Sequence, residues 1–303
     1  MGKTAFLFAG QGAQYPGMGK ELYGASPAAK EAFDLAERLR PGTLAQCFEG
    51  TKEVLSQTVN TQPCLFAVDL AAAAALKEAG VRADFAAGFS LGEIPALAFG
   101  GYLRRDDAFQ FVIRRGEAMD ACAKAAPGAM LAVIGSDEET VEGLCAAFSG
   151  CYPVNYNAPA QTVVALRQED AASFITGAKN AGARALRLNV SGAFHSPYMD
   201  GAFELLKDEF SELPLREGNI PVFSNVTATP YAGKELLFEQ VHAPVRWRQT
   251  MENLAGQGVD TFVEVGAGTT LTGLCKKILP EAVICNVQDA ASLEKTWNIL
   301  KVK

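Results

Sequence analysis

The sequence predicts an α/β protein in which a mostly parallel sheet is interrupted by one small inserted subdomain. Two patterns predict this class. Short apolar strands alternate with helical segments at both ends of the chain, as in sheets whose faces are covered by helices. Between these ends the order of elements changes to βαββαβ, the ferredoxin-like unit. We therefore expect a large subdomain from residues 1–125 and 192–303, and an inserted subdomain over residues 126–191.

The first part of the chain begins with the strand TAFLFAG, followed by a turn-rich stretch. The helix SPAAKEAFDLAERL starts on Ser-Pro, which is typical of a helix N-terminus. A long alanine-rich helix, TQPCLFAVDLAAAAALKEAG, ends on glycine. The weak strand ADFAAGFS then leads through a turn into two helices, LGEIPALAFGGYL and the amphipathic RDDAFQFVIRRGEAMDAC.

The insert begins with the strand AMLAVIG and the helix DEETVEGLCAAFS. The strands YPVNYN and QTVVALR, the helix EDAASFITGAKNAG and the strand RALRLNV complete it. After the insert we expect the helix DGAFELLKDEFSEL, the strand IPVFSNV and the helix WRQTMENLAGQG. The strands DTFVEVG and VICNV, around the helix TLTGLCKKIL, and a last helix SLEKTWNILK close the chain.

Composition narrows the class of protein. The 303 residues are 49% hydrophobic and 20% charged, an ordinary globular balance, and the net charge of -7 argues against a nucleic-acid binder. Seven scattered cysteines without a CxxC pair predict reduced thiols rather than disulfides or zinc. The N-terminal apolar run has only five residues, too few for a signal peptide. The longest apolar helix candidate, LFAVDLAAAAAL, is interrupted by Asp69 and is too short to span a membrane. We expect a cytoplasmic protein.

One stretch, GFSLG from Gly88 to Gly92, fits the GxSxG pattern of a nucleophile elbow. Glycines are needed there because the strand-to-helix turn is tight, and the turn exposes the oxygen of Ser90 at a helix N-terminus that favours negative charge. The alternative is that Ser90 is an ordinary helix-capping serine.

A serine nucleophile needs a base, and the chain has only two histidines. His195 lies in SGAFHSPYMD, where the insert ends and the large subdomain resumes, and a cleft is expected at such a junction. His242 is the second choice.

The adjacent arginines Arg114 and Arg115 point about 100° apart on a helix, so only one can face the apolar side. A buried arginine needs an anionic partner. That partner is either a nearby acid (Asp106, Asp107 or Glu117) or the carboxylate of a substrate.

Two glycine-rich stretches are similar to nucleotide-binding motifs, but each lacks a residue that its motif requires. FAGQGAQ lacks the GK[ST] of a phosphate loop. In EVGAGTTLTGL, Gly266 and Gly268 follow a strand and Asp289 lies farther on, but Leu271 occupies the third glycine position. We expect no dinucleotide site.

Together these segments resemble the malonyl-CoA:acyl carrier protein transacylase family nearly end to end. The matching segments are FAGQGAQYPGMG, TQP, GFSLGE, RRGEAM, NYNAP, GAFHSP, VHAPVRW and EVGAGTTLTGL, in the order of the family. The resemblance implies an α/β-hydrolase-like core with an inserted ferredoxin-like subdomain, which agrees with the pattern of elements above.

The resemblance also implies roles for individual residues. Ser90 would be the acyl-accepting nucleophile, His195 its base and Arg115 the group that binds the malonyl carboxylate. The remaining implied residues surround these three: the backbone N–H groups of Gln11 and Leu91 as oxyanion hole, the main-chain carbonyl of Gln240 as the group that orients His195, Gln62 and Asn157 as cleft lining, and Phe194 as the side chain that excludes a methyl branch.

Two positions depart from the family pattern. Phe89 stands where the family usually has histidine, which puts in doubt how that position tunes the serine or shapes the pocket. Ala267 replaces the usual proline of EVGPG.

The implied reaction is a ping-pong transfer of malonyl from malonyl-CoA to the phosphopantetheine thiol of acyl carrier protein, in fatty-acid synthesis. It needs no bound cofactor and no metal, and we expect a monomer that binds neither membrane nor nucleic acid. Because carrier proteins are acidic, a local basic patch is expected at Lys276 and Lys277 with Arg246 or Arg248.

Three alternatives remain open at this point. The first is a thioester hydrolase, although such enzymes carry an acid between serine and a late histidine, and none is obvious here. The second is a freestanding acyltransferase that serves a polyketide synthase. The third is a non-catalytic acyl-CoA or carrier-binding protein, for which Phe89 is the only support.

Overall fold

Two sheets organise the molecule in the computed structural model, which describes residues 2–301. The larger sheet is parallel, in the order β7-β2-β1-β8-β9, and consists of β1 (Lys3–Phe8), β2 (Phe85–Gly88), β7 (Val222–Phe223), β8 (Val259–Val265) and β9 (Val283–Val287). The smaller sheet is antiparallel, in the order β4-β5-β3-β6, and consists of β3 (Gly128–Ile134), β4 (Tyr152–Ala158), β5 (Gln161–Arg167) and β6 (Arg184–Arg187). The predicted fold class is confirmed.

Helices connect the strands on both sides of the larger sheet. Before the smaller sheet they are α1 (Lys20–Ala25), α2 (Pro27–Leu39), α3 (Thr43–Glu49), α4 (Lys52–Leu55), α5 (Thr58–Glu78), α6 (Glu93–Gly100) and α7 (Arg105–Ala125). Two helices belong to the insert and connect strands of the smaller sheet: α8 (Glu138–Ala146) and α9 (Ala171–Asn180). After the insert the helices are α10 (Asp200–Glu209), α11 (Glu235–Glu239), α12 (Trp247–Gly256), α13 (Thr270–Ile278) and α14 (Ala290–Leu300).

Strand β1 shows why the first apolar run forms a central strand. Its side chains alternate between two buried clusters: Phe6 and Phe8 belong to the cluster that contains α5 and α7, and Leu7 to the one that contains α12 and α13. A parallel strand buried on both faces needs apolar residues at every position, which this run supplies.

Helix α5 is the core helix of the large subdomain. It has 21 residues and, by length and composition alone, could cross a membrane, but 89% of its most apolar 18-residue stretch is buried inside the protein. It begins three residues before the predicted start, at Thr58, so Pro63 lies within it. Its apolar character serves packing against neighbouring helices.

The insert has the predicted βαββαβ order and a core of its own. Leu131, Val164 and Phe174 are fully buried in a cluster formed only by residues of this segment. The boundaries at 125–126 and 191–192 stay predictions.

The structure departs from the sequence prediction mainly in short elements. The predicted strand IPVFSNV is reduced to β7, two residues long, because the chain turns at Ser224, whose N–H bonds to the carbonyl of Thr229. The helices α1, α3, α4 and α11 were not predicted, and each has seven residues or fewer. Such helices depend on tertiary packing more than on their own sequence.

Candidate active site

A cavity of about 480 Å³ opens at the carboxyl ends of β1 and β2. Ser90 and Gln11 line it from the large subdomain, while Met130 and Asn155 line it from the insert. Carboxyl ends of parallel strands are the usual place for a site in such sheets.

Ser90 sits on a sharp turn directly after β2, with φ +53°, a left-handed conformation that costs a non-glycine residue energy. The glycines around it are required by space. A Cβ on Gly92 would lie 2.3 Å from the carbonyl oxygen of Phe8, and one on Gly88 would lie 2.0 Å from the backbone of Gly92. Neither the turn nor α6 receives a side-chain cap, so Ser90 does not act as a helix cap.

The Ser90 hydroxyl contacts a histidine that comes from the other side of the insert. Ser90 Oγ lies 2.7 Å from His195 Nε2, and His195 Nδ1 lies 2.8 Å from the main-chain oxygen of Gln240. A carbonyl oxygen only accepts, so Nδ1 carries the proton and Nε2 of the neutral ring is free to accept from serine. His195 also has a positive φ of 60°.

Burial, and then the charge of Arg115, lower the pKa of His195 to about 3. Both effects disfavour the imidazolium form. His195 is therefore neutral at physiological pH and available as a base.

Arg115 is the arginine that faces the apolar interior, at 1% exposure. Its guanidinium donates to Gln62 Oε1 at 2.9 Å, Gln240 Oε1 at 2.7 Å and Ser90 Oγ at 3.3 Å. None of the three acids considered from the sequence pairs with it. Its neighbour Arg114 instead lies at the surface and binds Glu117 and Glu209.

Burial lowers the pKa of Arg115 to about 10, so the guanidinium stays charged at neutral pH. Its hydrogen-bond partners are all neutral, and its Nε has no partner among residues 2–301. A buried cation without a bonded anion is costly, and the site can therefore accept a carboxylate next to Ser90.

Gln11 lines the same cavity as Ser90, and Leu91 follows the serine directly in the turn. The side chain of Gln11 donates to Thr58 Oγ1 at 3.2 Å, which in turn lies 3.1 Å from Ser191 Oγ. The hydrogen bonds of the serine turn are donated by the N–H groups of Gly92 and Glu93 rather than by that of Leu91. The oxyanion hole of the Gln11 and Leu91 N–H groups stays a prediction.

Two of the three other residues expected in the cleft reach the cavity, whereas Gln62 is fully buried and does not line it, although it binds Arg115. Asn157 and Phe194 line the cavity, and Asn157 Oδ1 is buried without a hydrogen-bond partner among the described residues. Phe89 lines it as well and packs edge-on against Trp247, with ring centroids 5.3 Å apart. The histidine-to-phenylalanine departure thus places an apolar ring beside Ser90.

His242, the second-choice base, lies elsewhere. Its Nδ1 is 2.8 Å from Asp200 Oδ1, and its ring stacks on Phe203 at 4.2 Å. It does not line the cavity.

The glycine-rich stretch before α13 serves structure. The carboxylate of Glu264 accepts from the N–H groups of Leu271 and Thr272 and so occupies the N-terminus of α13, where a phosphate would bind. Asp289 caps α14. Within residues 2–301 no group of three or more His, Cys, Asp or Glu side chains could hold a metal ion.

The contacts of three residues in the site were not foreseen from the sequence. The side chain of Gln240 binds Arg115 and donates to the main-chain oxygen of Ser90 at 3.3 Å. The side chain of Asn225 binds the backbone on both sides of Phe89, and the fully buried Glu93 accepts from the main-chain N–H of Asn225. The only signal was the polar character of these residues beside apolar neighbours.

Known proteins share both sequence and structure with this chain. The model of the acyl transferase domain family matches residues 5–295. The malonyl CoA-acyl carrier protein transacylase of Bacillus subtilis is 39% identical, over 99% of this chain and 98% of the relative. The crystal structure of that transacylase from Clostridium perfringens superposes with a TM-score of 0.94 at 35% identity, over 99% of this chain and 98% of the other.

A second solved structure contains a carrier protein. It is described as a type II polyketide synthase acyl-carrier protein in complex with its malonyl-transacylase. Its match has a TM-score of 0.93 at 33% identity and covers 98% of this chain and 99% of the other.

Proposed function

This chain belongs to the acyl transferase domain family, among the malonyl CoA-acyl carrier protein transacylases, and from this premise we propose that it transfers malonyl from malonyl-CoA to the phosphopantetheine thiol of acyl carrier protein. The transfer supplies fatty-acid chain elongation and proceeds through a malonyl-serine intermediate. It uses no bound cofactor and no metal.

The observation that carries the proposal is Arg115. Its guanidinium lies 3.3 Å from Ser90 Oγ and is bonded only to neutral groups. In malonyl-CoA one methylene separates the carboxylate from the thioester carbon that the serine attacks. A cation this close to the nucleophile therefore fits a malonyl group, and an acetyl group would leave it unpaired.

In the first half of the reaction, His195 Nε2 takes the proton of Ser90 as the oxygen attacks the thioester carbonyl. The carbonyl of Gln240 keeps His195 in the required tautomer, the role that a carboxylate has in other serine enzymes. The N–H groups of Gln11 and Leu91 stabilise the tetrahedral oxyanion, at about 3–4 kcal/mol per donor. His195 then protonates the departing CoA thiolate.

In the second half, the phosphopantetheine thiol of the carrier gives its proton to His195 and attacks the malonyl-serine. The tetrahedral charge is again held by the oxyanion donors, and Ser90 leaves with the proton from His195. Throughout, Phe194 would exclude a methyl branch on the acyl group, because its side chain lines the cavity.

The acidic carrier would dock on a basic patch formed by Lys276, Lys277 and Arg246, steered by charge. Lys277 donates to Gln161, which lines the cavity, and Arg246 is exposed. Arg248 is a poorer candidate because it pairs with Glu138 and Glu252. We propose that the enzyme acts as a monomer in the cytoplasm, where its seven free cysteines stay reduced.

A polyketide pathway is the second candidate for the same chemistry. The structural match to a malonyl-transacylase bound to a polyketide synthase carrier favours it. Transfer rates to the fatty-acid carrier and to a polyketide carrier, compared side by side, separate the two pathways.

A test of the proposed function follows malonyl-CoA with and without phosphopantetheinylated carrier. We expect malonyl-carrier to form and little free malonate without carrier, and Ser90→Ala to abolish both. Release of malonate at the same rate without a thiol acceptor would instead identify a hydrolase.

A further inference from the structure

Asn225 is a buried polar residue, two positions beyond the end of β7, with a side chain that the reaction described above does not use. It is 1% exposed and does not line the cavity. Its Oδ1 accepts from the main-chain N–H of Ser90 at 2.7 Å, and its Nδ2 donates to the main-chain oxygen of Gly88 at 2.6 Å. One amide group thus binds the backbone on both sides of Phe89.

The register of the sheet explains why a side chain is needed here. Strands β2 and β7 pair in parallel at Ala86 with Val222 and at Ala87 with Phe223, and the pairing then ends. Beyond it the backbone of the serine turn has no neighbouring strand on the β7 side, whereas on the other side it still bonds to β1 through Phe89 N–H and the Phe8 carbonyl. The amide of Asn225 offers both an N–H donor and an oxygen acceptor, so it can form the two backbone bonds that a continued β7 would have formed. These bonds stabilise the Ser90 φ of +53°.

Asn225 is itself fixed from two sides. Its main-chain N–H donates to Glu93 Oε2 at 2.6 Å, and its main-chain oxygen accepts from the main-chain N–H of Arg246 at 2.9 Å. Glu93 is fully buried and begins α6, the helix that follows the serine turn. Hydrogen bonds therefore connect Glu93 to Asn225 and Asn225 to Ser90.

We propose that Asn225 is a positioning residue that holds the Ser90 backbone so that Oγ meets His195 Nε2, and that it keeps the Ser90 N–H out of the oxyanion hole. It touches neither substrate nor reacting atoms. The proposal rests on the proposed function, since Asn225 can act only through Ser90 as nucleophile.

Rapid-quench measurement of malonyl-enzyme formation, over a range of malonyl-CoA concentrations, tests this. For Asn225→Ala we expect the maximal acylation rate to fall about 100-fold, because a small misplacement of a nucleophile has this effect. The half-saturating concentration should change less than about two-fold, since Arg115 and the cavity are untouched.

Asn253→Ala is the matched control. Asn253 is a partly buried asparagine that donates to the carbonyl of Ala228, in the same loop, without contacting Ser90. We expect its acylation rate to stay near that of the wild type. An equal loss in both variants would show that the loop needs only general support, and would overturn the proposal.

Asn225→Asp separates positioning from folding. The introduced carboxyl can accept from Ser90 at any pH but donates to Gly88 only when protonated. The titratable or charged groups around this position are Glu93, Tyr231, Arg115 and His195. We expect the acylation rate of this variant, relative to the wild type at each pH, to rise as pH falls from 8 to 5, whereas a flat ratio contradicts the proposal.

The outcomes also separate the two levels of inference. A wild type that forms no malonyl-serine contradicts the proposed function. A wild type that acylates, with Asn225→Ala acylating equally fast, contradicts only the role of Asn225. If thermal melting shows that Asn225→Ala is unfolded, the pH ratio of Asn225→Asp decides.

Discussion

At the scale of single residues, Arg115 makes the substrate choice testable. In the intact enzyme the malonyl carboxylate would pair with the Arg115 guanidinium, whereas an acetyl group would leave this cation desolvated and unpaired. Arg115→Ala removes the cation and with it this difference between the two substrates. The difference corresponds to about 3–5 kcal/mol, or a few hundred- to a few thousand-fold in selectivity. We expect the ratio of kcat/KM for malonyl-CoA over acetyl-CoA to fall by about this factor.

The next residue in the chain provides the control for this experiment. Arg114→Ala removes the same charge from the same helix, but Arg114 is exposed and pairs with Glu117 and Glu209. Its malonyl-to-acetyl ratio should match that of the wild type. An unchanged ratio in Arg115→Ala would refute the role assigned to Arg115.

The pH dependence follows from His195. Burial and the nearby Arg115 lower its pKa to about 3, so the base is neutral, and active, at every pH above that value. The kcat/KM for malonyl-CoA, which reports the free enzyme, should therefore stay level from pH 8 down to about 5. In Arg115→Ala the acid limb should move toward higher pH. A wild-type limb centred near the unperturbed histidine value would contradict this account.

The sequence pointed to Ser90 through its GxSxG motif and to His195 through its place at the end of the insert, while Arg115 was chosen over Arg114 by the family resemblance. The structure brings both His195 and Arg115 within hydrogen-bond distance of Ser90 Oγ. Asn225 and the side chain of Gln240 could not be predicted in the same way. Their roles depend on contacts between segments more than 100 residues apart, which no local pattern encodes.

At the scale of elements, the turn between β2 and α6 is fixed by close backbone approach. Gly92→Ala places a Cβ against the carbonyl oxygens of Phe8 and Ala9, at 2.3 and 2.6 Å. The Phe8 oxygen accepts from the N–H of Phe89, so it cannot move without loss of this bond. We expect the free energy of unfolding to fall by about 3 kcal/mol and acylation to be lost, as measured by denaturant unfolding and by adduct formation.

Gly143→Ala is the matched control at this scale. Gly143 lies in helix α8, and a Cβ there meets nothing within 4 Å. Alanine is the better helix former, so this variant should gain about 0.5–1 kcal/mol. Equal effects of the two substitutions would argue against crowding at the serine turn.

Prediction of elements succeeded where periodicity was strong and failed where packing decides. The alternating elements and the βαββαβ insert were evident from apolar spacing over long segments. The length of the strand predicted at IPVFSNV was overestimated, since β7 has only two residues. The turn after β7 is set by contacts of Ser224 and Asn225 rather than by local preference. The short α3 and α4 lack the length to show a period.

At the scale of the whole molecule, the net charge of -7 opposes an acidic carrier, so docking must depend on a local patch. Reversal of Lys276 and Lys277 to glutamate should raise the KM for carrier and weaken its dependence on salt. Kinetics with malonyl-CoA alone should not change. Transfer rates at several ionic strengths provide the measurement.

A control of equal charge reverses Lys3 and Lys301. Both lie away from the Ser90 cavity: Lys3 is at the amino end of β1, and Lys301 lines a separate cavity. The KM for carrier should change much less in this variant. If both double variants raise the KM for carrier equally, only the net charge of the protein matters, and the proposed docking patch at Lys276 and Lys277 is wrong.

The central claim concerns Ser90, and intact-protein mass spectrometry tests it most directly. The enzyme is quenched shortly after mixing with malonyl-CoA, and a second sample is quenched after phosphopantetheinylated carrier is added. We predict one malonyl adduct, located on the peptide that contains Ser90, which disappears as malonyl-carrier forms. An adduct on another residue, or no adduct in an enzyme that turns over, would contradict the account.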